Sequence, residues 1–212
     1  MTSPTPPVDR PDPSVFWDRK FADEAYFYGE RPNAWLTEQA WRLSPKSDVL
    51  AVGDGEGRNG VWLAEQEHRV ASVDVSPRAL QKALSLALRR GVQIKTHCAD
   101  LRSWDWPVGT FDAVISVYLH LPPDARPVLH GHMFNALRPG GHLILEGFTP
   151  AQIGKGSGGP PNEALMFTTD RLRSDFNEAE ILHLEETTVT LNEGTGHRGL
   201  AEVVRLVARR PA

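Results

Sequence analysis

Three glycines alternate with two acids in Gly53-Asp54-Gly55-Glu56-Gly57, directly after the apolar run Val49-Leu50-Ala51-Val52. Such a run, ended by a turn, reads as a buried parallel strand. The apolar segment Val61 to Ala64 then reads as the start of a helix. Strand, glycine-rich turn and helix form the first unit of a nucleotide-binding α/β sheet. Glycine is needed where the backbone turns sharply and a ligand approaches it with no Cβ in the way. Two templates fit the same letters. Gly55-Glu56-Gly57-Arg58-Asn59-Gly60 matches G-x-G-x-x-G, the dinucleotide fingerprint, and Gly53 to Gly57 matches G-x-G-x-G. The charges arbitrate. A pyrophosphate binds bare amides at a helix N-terminus, and Asp54 and Glu56 would repel it. S-adenosylmethionine carries a sulfonium and an ammonium, and its only anion is a carboxylate, so the acids favour it over NAD. The bland alternative is a plain glycine-rich turn.

Downstream residues extend this chemistry. Asp74 ends the expected second strand, Val70 to Val73. A carboxylate there accepts hydrogen bonds from ribose hydroxyls; the alternative is a helix cap, a role that Ser76 already fills. Asp100 could accept from an adenine amino group or be a solvated turn acid. His120 follows the fourth strand, Phe111 to Val117, at the end where open parallel sheets bind ligands. Two late β-rich segments, Glu180 to Leu191 and Leu200 to Arg209, read as a hairpin. If the first runs parallel to the central strands, its turn lies at the ligand face, and Glu193, His197 and Arg198 border the substrate across from His120. The competing reading is a solvated turn. Histidine is mostly neutral at pH 7, with an ordinary pKa of ~6.5, so His197 could orient an acceptor or take its proton.

The elements that must hold these residues follow in order. Ser14 caps a short helix in which Trp17 and Phe21 share a face. An aromatic loop, Tyr26-Phe27-Tyr28-Gly29-Glu30-Arg31-Pro32, leads to a helix capped by Asn33 and running through Leu43. These aromatics either pack on the core edge or form a lid over a ligand. Ser76-Pro77 opens a helix with a stripe at Leu80, Ala83, Leu84, Ala87 and Leu88, closed by Gly91. Val92 to Cys98 is a strand, with Cys98 a small buried filler. A helix over Asp124 to Leu137 stops at Arg138-Pro139-Gly140-Gly141, and His142 to Phe148 is the fifth strand. Gly154 to Pro161 cannot be regular structure and is a mobile linker or a lid. Thr169 to Phe176 is a short helix.

At 212 residues the chain fits one domain. Residues 1–13 read as a flexible tail, 14–45 as lid helices, and 46–212 as a core with a Rossmann-like, doubly wound sheet of about seven strands, mostly parallel with an antiparallel last strand. The net charge of −4, without a dense basic run, argues against nucleic acid. No apolar run approaches the ~18–20 residues of a membrane span, and no secretory signal is visible. The single cysteine fits a reducing cytoplasm. No paired Cys/His spacing marks a metal site, and a monomer or weak homodimer is expected.

The order of these motifs resembles the class I S-adenosylmethionine-dependent methyltransferases. Within that class the chain looks most like the tellurite-resistance and, more distantly, the thiopurine methyltransferases. The carrying residues are Trp17-Asp18-Arg19-Lys20-Phe21, Tyr28-Gly29-Glu30-Arg31-Pro32-Asn33, Gly57-Arg58-Asn59, Gly158-Gly159-Pro160, and Glu193-Gly194 with His197. The resemblance implies that Gly53 to Gly57 hold the methionine part, Asp74 the ribose, and Asp100 with Leu101 the adenine. Trp17 and Phe21 would close over the cofactor. Ala51 stands where the class commonly has an acid, which moves the carboxylate facing the methionine ammonium onto Asp54. The residues expected to hold the cofactor are thus Trp17, Phe21, Gly53, Asp54, Gly55, Gly57, Asn59, Asp74, Val75, Asp100, Leu101 and Val117. The expected catalytic residues are His120, His197 and Tyr28.

Methyl transfer from a sulfonium mainly requires that the nucleophile be positioned and stripped of water. Leu119-His120-Leu121-Pro122-Pro123 stands where many amino-methylating enzymes carry Asp-Pro-Pro-Tyr or Asn-Pro-Pro-Tyr. That favours a small acceptor with a sulfur, selenium or tellurium centre. The alternatives are an NAD-dependent oxidoreductase and a non-catalytic module that binds S-adenosylmethionine.

Overall fold

An apolar strand with no polar face must be covered on both sides. In β1 (Asp48–Val52), Leu50 and Val52 enter one core, and Val49 and Ala51 enter the other. The structure, a computed structural model, describes residues 12–212. The expected flexible tail, but for its last two residues, lies outside the described residues.

The remaining elements are α1 (Pro13–Lys20), α2 (Ala34–Gln39), α3 (Arg58–Glu65), β2 (Arg69–Asp74), α4 (Pro77–Arg90), β3 (Lys95–Cys98), β4 (Phe111–Val117), α5 (Arg126–Ala136), β5 (Leu137–Phe148), α6 (Thr169–Asp175), β6 (Glu180–Glu193) and β7 (His197–Arg209). One seven-stranded sheet forms in the order β3-β2-β1-β4-β5-β7-β6. Strands β1 to β5 pair in parallel, and β7 runs antiparallel between β5 and β6. This is the mostly parallel, doubly wound sheet that the motif order implies. Chain direction reverses its order between β1 and β4, which opens a crevice at their carboxyl ends. Because β7 runs back from its turn, the β6–β7 turn lies at that same end.

Capping fixes the helix starts. Ser76 Oγ accepts from the Ala79 amide, Pro77 stands first in α4, and Gly91 closes it. Asn33 caps α2 by accepting from the Leu36 amide. Some boundaries differ from expectation. Asp12, not Ser14, caps α1, since its Oδ1 accepts from the Ser14 amide at 2.9 Å. Helix α2 ends early in a tighter turn over Ala40–Arg42. Cys98 is exposed rather than buried, because β3 is the sheet edge. Among the described residues no helix is long and apolar enough to cross a membrane.

The glycine loop is held from below by Asp54. Its carboxylate accepts from Ser72 Oγ at 2.5 Å and from the Gly60 amide at 3.2 Å. It therefore points beneath the loop, and the expected contact with a methionine ammonium is corrected. A side chain on Gly60 would overlap the Asp54 carboxylate, so that glycine makes room for it. Glu56 turns aside as well, to Lys82 and the Tyr28 amide. Neither acid stands free to repel a phosphate, so the electrostatic reason drawn from the sequence does not hold.

Burial pushes the Asp54 carboxyl up to about 7. A carboxyl raised on folding binds its proton more tightly in the native state, so stability falls as pH rises from the unfolded value through the folded one. Between pH 5 and 8 the loss is on the order of 2–4 kcal/mol. Asp54→Asn keeps the hydrogen bonds of the protonated acid and should remove this loss. Urea unfolding of both proteins across that range checks it, and parallel curves would refute the assignment.

Candidate active site

The crevice at the β1 and β4 ends is a cleft of about 540 Å³, within the usual range for small-ligand sites. Its floor is bare backbone at the glycine loop. Gly53 has φ +60°, and a Cβ there would sit 2.9 Å from Leu119 Cδ1. Asp74 braces the loop, with Oδ2 accepting from the Gly55 amide and Oδ1 from the Ser76 amide, each at 2.9 Å. Burial raises its pKa against the pull of those amides. Asp74 lines the cleft and has acceptor capacity beyond these amides, which ribose hydroxyls would use. Val75, Leu101 and Val117 line the same end.

Helix α1 roofs this floor. Trp17 and Phe21 stack at 5.5 Å, and Phe21 is buried against the loop, 3.5 Å from where a Gly55 Cβ would lie. Asp18 Oδ1 accepts from Ser76 Oγ at 2.5 Å and ties the roof to the start of α4. The aromatics thus pack on the core edge and also cover the cleft. Asn59 lines the cleft, and its Oδ1 accepts from the Asn33 amide, joining α3 to the entry of α2.

The β6–β7 turn forms the other end. His197 is 4 % exposed, and its ring meets those of Tyr28 and Tyr118 at 4.5 Å and Phe148 at 5.2 Å. Nδ1 bonds Glu193 Oε2 at 3.0 Å, and Arg58 Nη2 donates to the same oxygen at 2.9 Å. Burial alone would raise Glu193, but the His197 bond and the Arg58 charge outweigh it and hold its carboxyl at about 2. Burial lowers His197 more than Glu193 raises it. The imidazole is therefore neutral at pH 7, with its proton on Nδ1. Among the described residues nothing bonds Nε2, and the ring lines the cleft. Tyr28 is driven well above the ordinary phenol value by burial, so it supplies a hydroxyl donor and a ring wall, not a base. Arg198 is exposed and does not line the cleft.

His120 also lines the cleft, but its surroundings do not suit the catalytic role expected of it. Nδ1 faces the Leu165 carbonyl at 3.0 Å, and Nε2 accepts from the Phe148 amide at 3.2 Å. Both nitrogens are used, and burial pushes the group down to about 4. It is a structural histidine, stacked on Phe148 and Phe167. Asp100 lines the cleft with its carboxylate gripped by the Arg102 guanidinium at 3.0 Å, so an adenine amino group would have to share it.

Gly154 to Pro161 is a pinned lid rather than a linker. Ser157 Oγ donates to the Leu200 carbonyl at 2.5 Å, and Gln152 Nε2 donates to Ser157 Oγ at 2.8 Å. Gly158 has φ +125°, and a side chain there would overlap the His197 ring.

Sequence reading missed the network beneath His197. Glu146, 1 % exposed on β5, accepts from Asn33 Nδ2 at 2.6 Å, from the Tyr118 hydroxyl at 2.7 Å and from Arg205 Nε at 2.7 Å. Asn33 Nδ2 also donates to Glu193 at 3.2 Å. Tyr118 has φ +55°, a left-handed conformation that costs a non-glycine residue about 1–2 kcal/mol. Its amide and hydroxyl bonds to Glu146 hold it there. The signal was a lone acid in the apolar run Leu143-Ile144-Leu145-Glu146.

This geometry fits S-adenosylmethionine. A glycine-rich loop whose two acids are engaged by other residues would admit the methionine part, Asp74 the ribose, and Leu101 with the stacked Trp17 and Phe21 the adenine side. Residues 49–141 match the family model described as a methyltransferase domain. Among curated relatives, the erythromycin 3''-O-methyltransferase of Saccharopolyspora erythraea is 32% identical over 131 residues, 59% of this chain and 43% of the relative. The chain covers 21% to 68% of the length of the first such relatives. TehB from Haemophilus influenzae has the same fold, with a TM-score of 0.70, 18% identity, and coverage of 93% of this chain and 66% of that one. So does the N-methyltransferase NodS from Bradyrhizobium japonicum, solved with S-adenosyl-L-homocysteine, at TM-score 0.68 and 16% identity over 95% of this chain and 100% of that one. These matches set aside the dehydrogenase alternative. Residues 49–141 are thus similar to a methyltransferase domain, and the chain as a whole shares the fold of these S-adenosylmethionine-dependent methyltransferases.

Proposed function

We propose that the protein methylates a small acceptor at a soft nucleophilic centre, a thiol first, with selenium and tellurium compounds as variants of the same chemistry. The observation that carries this reading is His197: a neutral imidazole whose Nε2 is free at the cleft and whose Nδ1 is fixed by Glu193. S-adenosylmethionine, when bound, supplies an electrophilic methyl group on its sulfonium. The chain's residues then do the rest. Tyr28, Tyr118 and Phe148 exclude water and present polarisable faces, which suit sulfur and its heavier relatives. Nε2 accepts the thiol proton, and Glu193 stabilises the imidazolium so formed. A selenium or tellurium anion carries no such proton and needs only positioning. The names of relatives lend limited support, since they include N- and O-methyltransferases. A small-molecule acceptor, a monomer or weak homodimer, and a cytoplasmic setting complete the proposal. A protein that binds S-adenosylhomocysteine but transfers methyl to no thiol would instead be a binding module.

His197→Ala should lower single-turnover methyl transfer to the best thiol by about 10²–10⁴-fold, with a much smaller change in cofactor affinity. Wild-type rate in this variant would remove the base. The rate should also fall with acid at a midpoint below ~6.5, because burial disfavours the imidazolium. Glu193→Gln takes away the carboxylate that raises His197. Its acid limb should therefore move to still lower pH while the plateau drops, as a pH–rate profile would record.

Asp74→Asn keeps the side chain's size and removes its charge. Charge-assisted hydrogen bonds contribute about 1.5–3 kcal/mol, so S-adenosylhomocysteine should bind roughly 10- to 100-fold more weakly. Calorimetric titration measures this, and an unchanged dissociation constant rules out the ribose role.

A further inference from the structure

Among the described residues, one cation lining the cleft has no anionic partner. The Lys20 ammonium, half-buried at the end of α1, lies 4.8 Å from the Phe27 ring centroid, 5.3 Å from Trp17, 5.7 Å from Tyr28 and 6.0 Å from Phe16. Among the described residues no carboxylate is within ion-pairing distance, and no acceptor takes a hydrogen bond from it. The other cations lining the cleft are paired, Arg58 with Glu193 and Arg102 with Asp100. The cleft's carboxylates are likewise engaged: Asp54 by Ser72, Glu56 by Lys82, and Asp74 by loop amides. Aromatic faces attract an ammonium, but they leave its three N–H donors without full-strength acceptors. Partial burial disfavours the charge and lowers the Lys20 pKa.

Charge balance then points to a ligand. The cofactor's ammonium and carboxylate cancel, and its sulfonium leaves one positive charge. With Lys20 beside it, the loaded cleft holds a second cation, and a bound anion would relieve both. Lys20 and His197 flank the same Tyr28 ring. An acceptor whose nucleophile rests at His197 Nε2 would reach Lys20 with a short tail across that ring.

We propose that Lys20 is a carboxylate-binding residue of the cleft and that the methyl acceptor carries that carboxylate, a few bonds from its nucleophilic atom. This rests on the methyltransferase reading above. The cofactor's own carboxylate has the same chemistry, and separate measurements distinguish the two sources.

Mercaptopropionate and its methyl ester form a matched pair of acceptors. Wild-type protein should prefer the acid in kcat/KM, and Lys20→Met, which keeps the apolar stem among the rings, should erase about 10- to 100-fold of that preference. Lys20→Arg should keep most of it. In the second arm, S-adenosylhomocysteine and 5′-methylthioadenosine, which lacks the amino-acid tail, are titrated into wild type and Lys20→Met. A tenfold or greater loss for S-adenosylhomocysteine alone would uphold Lys20 as a carboxylate ligand but overturn the acceptor as its source. An unchanged acceptor preference with unchanged S-adenosylhomocysteine affinity would overturn the proposal entirely. If wild type methylates neither thiol, the thiol reading fails on its own account. Calorimetric binding of mercaptopropionate and its ester to the S-adenosylhomocysteine complex, with and without Lys20, then decides the Lys20 assignment.

Discussion

Two carboxylates, the buried Glu146 and the largely buried Glu193, stand where β5 and β6 reach the cleft, and neither can lie there alone. Removing one partner of a buried ion pair typically costs about 3–5 kcal/mol, because the other charge is left without compensation. Arg205 from β7 answers Glu146, and Arg58 from the start of α3 answers Glu193. Asn33 donates to both acids and caps α2 with its Oδ1. Tyr118 reaches Glu146 from the end of β4. Six elements, counting β5 and β6 themselves, therefore meet at two acids, and His197 takes its orientation from that convergence.

The same principle separates two histidines in one cleft. His120 and His197 both line it and both are driven toward neutrality by burial. Their partners differ. A carbonyl and an amide saturate His120, whereas a carboxylate holds one nitrogen of His197 and leaves the other toward the ligand space. A base needs a free lone pair and a place for the charge it acquires. Only His197 has both.

Much of this was legible because it depends on local pattern. Ser76, Pro77 and Gly91 announce α4 within a few residues. The alternation of apolar runs with amphipathic stripes gave the sheet, and counting strand directions put the Glu193–His197 turn at the ligand end. What stayed hidden depends on distant neighbours. Asp54 points beneath the loop because Ser72 stands on the adjacent strand and Gly60 has no side chain. His120 is silenced by Leu165 and Phe148, and Cys98 is exposed because β3 has no outer neighbour. None of these follows from spacing along the chain. Glu146 is different: one acid inside a doubly buried strand is visible in the sequence, and burial demands a partner for it.

The Phe27 carbonyl accepts from the amides of Thr195 and Gly196 at 3.0 and 2.9 Å. These bonds join the two ends of the described chain, and the strand that begins at His197, β7, must slot between β5 and β6. Contacts of such long sequence separation close the largest loops and carry the largest entropic cost. The glycine loop, Asp74 and Leu101, by contrast, lie within one continuous stretch. As a ribosome extends the chain, the glycine-loop end of the cleft is therefore synthesised well before the end that carries His197. The wall of the cleft that carries His197 is complete only once β7 lies between β5 and β6.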